Sequence, residues 1–254
     1  MSKGISLHIG VNYLSQHSTD YEGRTLPNLN TCENDAMQME EIARQEGFEE
    51  CHSLFTKDAT YHNFQQKFIE IVGKLNPGDL FLLTFSGHGL GVLDHDGDED
   101  DGQDEAWCLY DRFLIDDLIS KHLSQIRQGV RVVVVSDSCH SGTMLKFFDG
   151  DTRWKRPTKK HPFPNENHIL ASVILLAACR DMAKARIQKD SKLSNFTRDL
   201  LATWNGGKYQ GNYKQFLMVD MMDSSPDPFF IPNYYEAGQN LEIFRTQNPF
   251  RINS

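Results

Sequence analysis

Apolar and polar positions alternate with period two over Ile5-Ser6-Leu7-His8-Ile9-Gly10-Val11, which predicts a strand. Residues 12–32 are polar and turn-rich and read as a loop. Ala36, Met39, Ile42 and Ala43 share one helical face in residues 34–46, and Gly47 supplies the stop. A short strand is expected at residues 51–55. A helix from about Thr60 follows, with Phe64, Phe68, Ile71 and Leu75 on one side and Pro77-Gly78 after it. Residues 80–85 are continuously apolar and bounded by turn residues, the pattern of a strand covered on both faces. After an acidic stretch comes a short apolar piece at 106–110. Asp116 then opens a helix carrying Leu118, Ile119, Leu123 and Ile126, with its stop at Gly129. Residues 130–135 and 173–178 are two more buried strands, the first strongly β-branched. Helical patterns return at 195–204 and 213–222. The tail after Pro226 reads as irregular, with a last strand at 241–244.

Strands alternate with helices through the first 180 residues. That order predicts an α/β fold with a mostly parallel sheet and helices on both faces. No internal repeat and no interdomain linker interrupts it, so residues 1–254 are expected to form a single domain. In such sheets, ligands gather at the carboxyl ends of the strands.

Composition narrows the function classes. Hydrophobic residues make up 39% of the 254-residue chain, enough for a full core. The longest apolar runs fall far short of the ~20 residues a membrane span needs. The N-terminal residues lead directly into a strand pattern without a charged start, apolar core and cleavage site, so a cytoplasmic location is expected. Five cysteines, Cys32, Cys51, Cys108, Cys139 and Cys179, are odd in number, widely spaced and without a C-x-x-C pair. That spacing argues against a disulfide framework or structural zinc. Net charge is −9, and residues 94–105 contain eight carboxylates. Nucleic acid is a poor ligand for such a chain, whereas a cation or a basic peptide fits it.

Two predicted strand ends carry reactive side chains. One ends in Ser86-Gly87-His88-Gly89 and the other in Asp137-Ser138-Cys139-His140-Ser141-Gly142. Neighbouring parallel strands would place His88 and Cys139 on one rim. A thiol beside an imidazole is a nucleophile with its base. The amides of Gly89 and Cys139 could stabilise an oxyanion there. Singly, Cys139 reads as a small buried hydrophobe and His88 as a turn residue. Together, 51 residues apart on two strand ends, they read as a pair.

These two motifs resemble the signatures of the metacaspases and their bacterial relatives. The resemblance extends along the chain through Cys32-Glu33-Asn34-Asp35-Ala36, Leu175-Leu176-Ala177-Ala178-Cys179-Arg180-Asp181 and Asn195-Phe196-Thr197. It implies a caspase-like three-layer sandwich on a mostly parallel six-stranded sheet. It divides the chain into a large-subunit-like part (about 1–148), an exposed connection (149–167) and a small-subunit-like part (about 168–254). It implies a cysteine endopeptidase working through a thioester, with no cofactor required for the chemistry. The resemblance also implies a pocket formed by Asp35 and Asp137, lined by Cys32 and Ser86, that favours Arg or Lys before the cut. Two carboxylates in a narrow slot agree with that preference. The plainer readings are a helix-start charge for Asp35 and a turn former for Asp137. Protein or peptide substrates with basic residues are the expected partners of a monomer.

Many metacaspases are activated by Ca²⁺, and by position Asp104, Asp116 and Asp117 resemble ligands of that site. The family's Asp shortly after the nucleophile has no counterpart in Thr143-Met144-Leu145-Lys146, and Asp149 is the nearest substitute. Asp116 and Asp117 read equally as helix caps, and the acidic run as a solvated loop. The run is no EF-hand, because Glu99 stands where that loop needs Gly. Arg153, Lys155, Arg156, Lys159 and Lys160 make the connection a target for self-cleavage, or simply a solvated basic loop. An alternative from another class is a catalytically silent scaffold of the same fold that binds peptide or calcium.

Overall fold

The computed structural model describes residues 1–23, 26–93, 103–138, 168–179, 191–226 and 230–253. Its main sheet has six strands: β1 (Gly4–Gly10), β2 (Glu50–Phe55), β3 (Leu80–Gly87), β7 (Arg131–Ser138), β8 (Ser172–Cys179) and β9 (Ile231–Gly238). They lie in the order β2-β1-β3-β7-β8-β9, parallel except for β9, which runs antiparallel to β8. The strands bury alternate residues in two cores, which is why the central ones read as unbroken apolar runs. On one face Phe81, Leu83, Val132, Val134 and Leu175 meet Phe64, Phe68 and Ile71 of α2 (Tyr61–Lys74) and Ile119 and Leu123 of α3 (Asp116–Leu123). On the other face Leu82, Val133, Val135 and Leu176 meet Met39 and Ile42 of α1 (Cys32–Gln45) and Phe196 and Leu200 of α4 (Asn195–Trp204). The expected three layers are therefore present, and strands from both the 1–148 and the 168–254 segments share the one sheet.

β1 has β2 on one side and β3 on the other, so the chain order reverses between β1 and β3. α1 and α2 accordingly cover opposite faces, and the crevice beside that reversal opens at the strands' carboxyl ends. Gly10 closes β1 against the start of α1. A Cβ there would stand 2.4 Å from the carbonyl oxygen of Cys32, so only glycine allows this approach.

Three expectations change. The strand foreseen at 241–244 is a 3-10 helix, Leu241–Arg245, and the last strand is β9. Phe244 enters the core while Glu242 and Arg245 stay outside, a spacing of three that a pleated strand cannot provide. Pro232 masked β9 in the sequence. An edge strand tolerates a proline because its missing N–H costs no ladder bond on the open side. The helix expected to reach Gly129 ends at Leu123 and tightens into i→i+3 turns, Gln125 N to His122 O and Ile126 N to Leu123 O. The helical stretch 213–222 is broken by π-helical winding at Phe216–Met221.

A second, antiparallel sheet was not foreseen. It comprises β4 (Gly89–Leu93), β5 (Gln103–Cys108) and β6 (Phe113–Ile115). Trp107 of β5 stacks on Phe85 of β3, with ring centroids 4.6 Å apart. Its indole N–H donates to Ser136 Oγ at 3.0 Å, and Ser136 and Ser138 share a hydroxyl contact of 3.2 Å. The small sheet thus braces the ends of both β3 and β7.

Candidate active site

The β3–β7 ladder pairs Ser86 with Asp137 and Gly87 with Ser138. Its register offset is therefore 51 residues, the same as the separation of His88 and Cys139. His88 is the next residue along β3, and Cys139 is the next in sequence after β7. Cys139 itself lies outside the described residues, as do the acidic stretch 94–102 and the connection 149–167.

His88 is buried, 8% exposed, and its Nε2 lies 2.7 Å from the carbonyl oxygen of Pro27. A carbonyl only accepts, so Nε2 carries the proton in this contact. In the neutral ring, Nδ1 is then the nitrogen with a free lone pair. Burial lowers the His88 pKa from its usual range, and the Pro27 carbonyl offsets part of that shift by favouring the imidazolium. The ring is thus oriented and biased toward its basic form. Pro27 belongs to the loop that also lines a cavity of 620 Å³ with Leu14, His17, Tyr21, Leu26 and Asn28.

The Cys108 N–H donates to the His88 carbonyl at 2.9 Å. This makes Gly89–Trp107 a non-hydrogen-bonded pair of the β4–β5 ladder, with the Gly89 N–H turned away from β5. That amide is not spent on the ladder, as an oxyanion donor requires.

One step inward stands a pair of acids. Asp35, in the first turn of α1, is 1% exposed, whereas Asp137 at the end of β7 is half-buried. Ser86 Oγ donates to Asp35 Oδ2 at 3.0 Å, and the Ser194 N–H donates to Asp35 Oδ1 at 2.9 Å. The Ser194 hydroxyl donates to Asp137 Oδ2, which also accepts from Thr197 Oγ1 at 3.0 Å. Burial, and then the charge of Asp137, raise the Asp35 pKa to about 7. The Ser194 N–H, the Ser86 hydroxyl and Thr31 offset part of this rise by bonding the carboxylate. A buried carboxyl facing a second one is a site short of positive charge. Cys32 is buried at the start of α1, where its N–H donates to Asn12 Oδ1 at 3.0 Å.

The structure therefore brings together Asp35, Ser86 and Asp137, with His88 following directly on β3. Sequence reasoning missed Pro27, Ser194 and Thr197. A backbone carbonyl leaves no mark in a sequence. Ser194 did leave one: Ser194-Asn195-Phe196-Thr197 is a helix-start pattern, and Ser194 Oγ accepts from the Thr197 N–H at 2.9 Å.

Asp116 and Asp117 occupy the first turn of α3, and Asp116 Oδ1 accepts from the Asp117 N–H at 3.0 Å. Asp104 lies on β5, and its side chain is outside the described residues. The β5–β6 register pairs Ala106 with Ile115. β6 ends there and α3 begins at Asp116, so the ladder does not extend to these acids. Among the described residues, the one group of metal-binding side chains close enough to share an ion is elsewhere: Glu50, His52 and Glu70. There the Lys74 ammonium already lies 2.7 Å from Glu50 and 2.9 Å from Glu70, in the cation's place.

A six-stranded α/β sandwich with a histidine at one strand end and paired acids beside it defines a caspase-like class of protein. The family description "Metacaspase, peptidase C14 domain" matches residues 5–148, more than half of the chain, and the chain belongs to that family. Metacaspase-1 of Plasmodium falciparum is 29% identical over 196 residues, covering 69% of this chain and 30% of that protein. Metacaspase-1A of Neurospora crassa is 32% identical over 154 residues, covering 55% and 32%. Metacaspase-7 of Arabidopsis thaliana is 32% identical over 150 residues, covering 55% and 35%. The chain thus spans about a third of the length of these relatives. A crystal structure of a Geobacter sulfurreducens protein shares the fold with a TM-score of 0.75 and 33% identity, over 98% of both chains. No helix among the described residues is long and apolar enough to cross a membrane.

Proposed function

We propose that the protein is a cysteine endopeptidase that cuts after Arg or Lys, with Cys139 as nucleophile and His88 as its base. The observation that carries this reading is the β3–β7 register. Its offset of 51 residues equals the separation of His88 and Cys139, which follow the paired Gly87 and Ser138 in sequence. Family membership adds its weight.

In the proposed reaction His88 Nδ1 takes the thiol proton while the sulfur attacks the scissile carbonyl. The Pro27 carbonyl holds Nε2–H and stabilises the imidazolium that forms. The Gly89 and Cys139 amides receive the oxyanion. Collapse of the intermediate breaks the C–N bond, His88 gives its proton to the leaving amine, and a thioester remains. Water then attacks the thioester with His88 again as base. The acid is released and the thiol regenerated. Asp35 and Asp137, with Ser86 and Cys32 around them, neutralise the basic side chain before the cut.

Calcium as an activator belongs to the same proposal. Hard oxygen donors suit Ca²⁺, and Asp104 on β5 with Asp116 and Asp117 at the start of α3 would supply them. Self-cleavage in the basic connection 149–167, action on basic protein or peptide substrates as a monomer and a cytoplasmic location complete the reading.

The test is hydrolysis of two fluorogenic peptides, one ending in Arg and one in Asp, with calcium or chelator and with Cys139→Ala as control. Cleavage after Arg alone, lost in the variant, is expected. Silence of the folded, reduced protein toward both peptides would sink the peptidase reading.

A further inference from the structure

The pocket acids come from α1 and β7, yet both are bonded by a third element. Ser194, the residue capping α4, gives its N–H to Asp35 Oδ1 and its hydroxyl to Asp137 Oδ2. Thr197, one turn into α4 and 2% exposed, gives a second hydroxyl to the same Asp137 oxygen. The chain just before them is tied to α1 as well, since Asn34 Nδ2 donates to the Lys192 carbonyl at 3.0 Å. The first turn of α4 is therefore a wall of the pocket.

The bonds are unevenly placed. Both oxygens of Asp35 are occupied, one by Ser86 and one by Ser194. Asp137 takes both of its bonds on Oδ2, and nothing among the described residues bonds its Oδ1. Asp137 is also the more exposed of the two. A cationic side chain entering the pocket meets one carboxylate fixed by two hydroxyls with an acceptor to spare, backed by a second, buried carboxylate.

We propose that Ser194 and Thr197 are specificity-determining positioning residues: they fix the Asp137 carboxylate so that its Oδ1 receives the substrate's basic side chain in the geometry a guanidinium requires. This deepens the Arg/Lys reading above and rests on it. A guanidinium is a planar fork whose bonds need an acceptor at a set angle, whereas an ammonium is a rotatable point charge that tolerates a swivelling carboxylate. Loosening Asp137 should cost Arg substrates more than Lys substrates.

Two peptidyl-aminomethylcoumarins identical except for Arg or Lys before the cut provide the measurement. Thr197→Val removes one hydroxyl at constant shape. Ser194→Gly removes the other, and glycine caps a helix only slightly less well than serine, so α4 should stay folded. A thermal melt of each variant checks this. The expected result is about a tenfold loss of kcat/KM on the Arg peptide, a smaller loss on the Lys peptide, and a change carried by KM with kcat nearly kept. Thr197→Ser and Ser194→Thr, which restore the hydroxyls, should restore the Arg preference. Equal losses on both peptides, losses in kcat alone, or no change would overturn the assignment while leaving the peptidase reading intact. A wild-type protein that cleaves neither peptide would overturn both.

Discussion

Asp35 shows how one residue can both serve the proposed pocket and cost stability. Its carboxyl is nearly enclosed and faces Asp137, and the two effects raise its pKa to about 7. Below that pH it is protonated and offers a cation little, and above it the carboxylate is charged. Specificity for Arg peptides should therefore improve as pH rises through about 7, visible as a fall in KM. Asp35→Asn should bind such peptides less well at pH 8 and lose this limb of the profile. An unchanged KM–pH curve in the variant would show that Asp35 does not face the substrate's charge. Asp35, Ser86, His88 and Asp137 were legible in the sequence because each lies in a short motif at a predicted strand or helix end. Ser194 was legible only as a helix start, because its partner Asp137 is 57 positions away and the contact exists only once α4 packs over β7. Pro27 acts through its carbonyl, which every residue type possesses.

Among the elements, the central strands and α1, α2 and α4 could be read from periodicity because two apolar cores enforce it. The small sheet escaped notice because Gly89–Leu93 and Gln103–Cys108 are short, and an acidic stretch separates them. β9 escaped because Pro232 looks like a breaker when the edge position is unknown. The small sheet has a measurable structural role. Trp107→Phe keeps the stack on Phe85 but leaves the buried Ser136 hydroxyl without its indole donor. A loss of about 1–2 kcal/mol in a denaturant titration is expected, the usual penalty for a broken buried bond. The start of α1 depends on Gly10 in another way. Gly10→Ala brings a methyl within 2.4 Å of the Cys32 carbonyl, so the first turn of α1 must shift and Asp35 must move with it. Steady-state kinetics on an Arg peptide should show a raised KM with a smaller change in kcat. A variant with wild-type KM and unaltered stability would mean that the helix accommodates the methyl without moving its acid.

For the whole molecule, the buried titratable groups set how stability follows pH, and they pull in opposite directions. His8 lies fully buried on β1, its Nδ1 3.0 Å from Thr84 Oγ1, and burial lowers its pKa to about 3. Burial also lowers the pKa of His88 and of His122, which is packed among Tyr61, Phe64 and Phe68. Below about 6.5 the unfolded chain protonates these imidazoles and the folded chain resists, so stability falls as pH falls toward 3. Asp35 has the reverse sign. Between about 4 and 7 the folded state holds its proton and the unfolded state has lost it, so this group alone makes stability fall as pH rises. The histidines outnumber it, and thermal melts of the wild type should give a midpoint that climbs from pH 4.5 to pH 6.5. Asp35→Asn removes the opposing contribution. Its midpoint should match the wild type closely near pH 3, where Asp35 is largely neutral in both states, and exceed it by a margin that grows up to about pH 7 and then levels off. A constant offset between the two curves across this range would mean that Asp35 keeps an ordinary carboxylate pKa, its buried charge fully compensated by Ser194, Ser86 and Thr31.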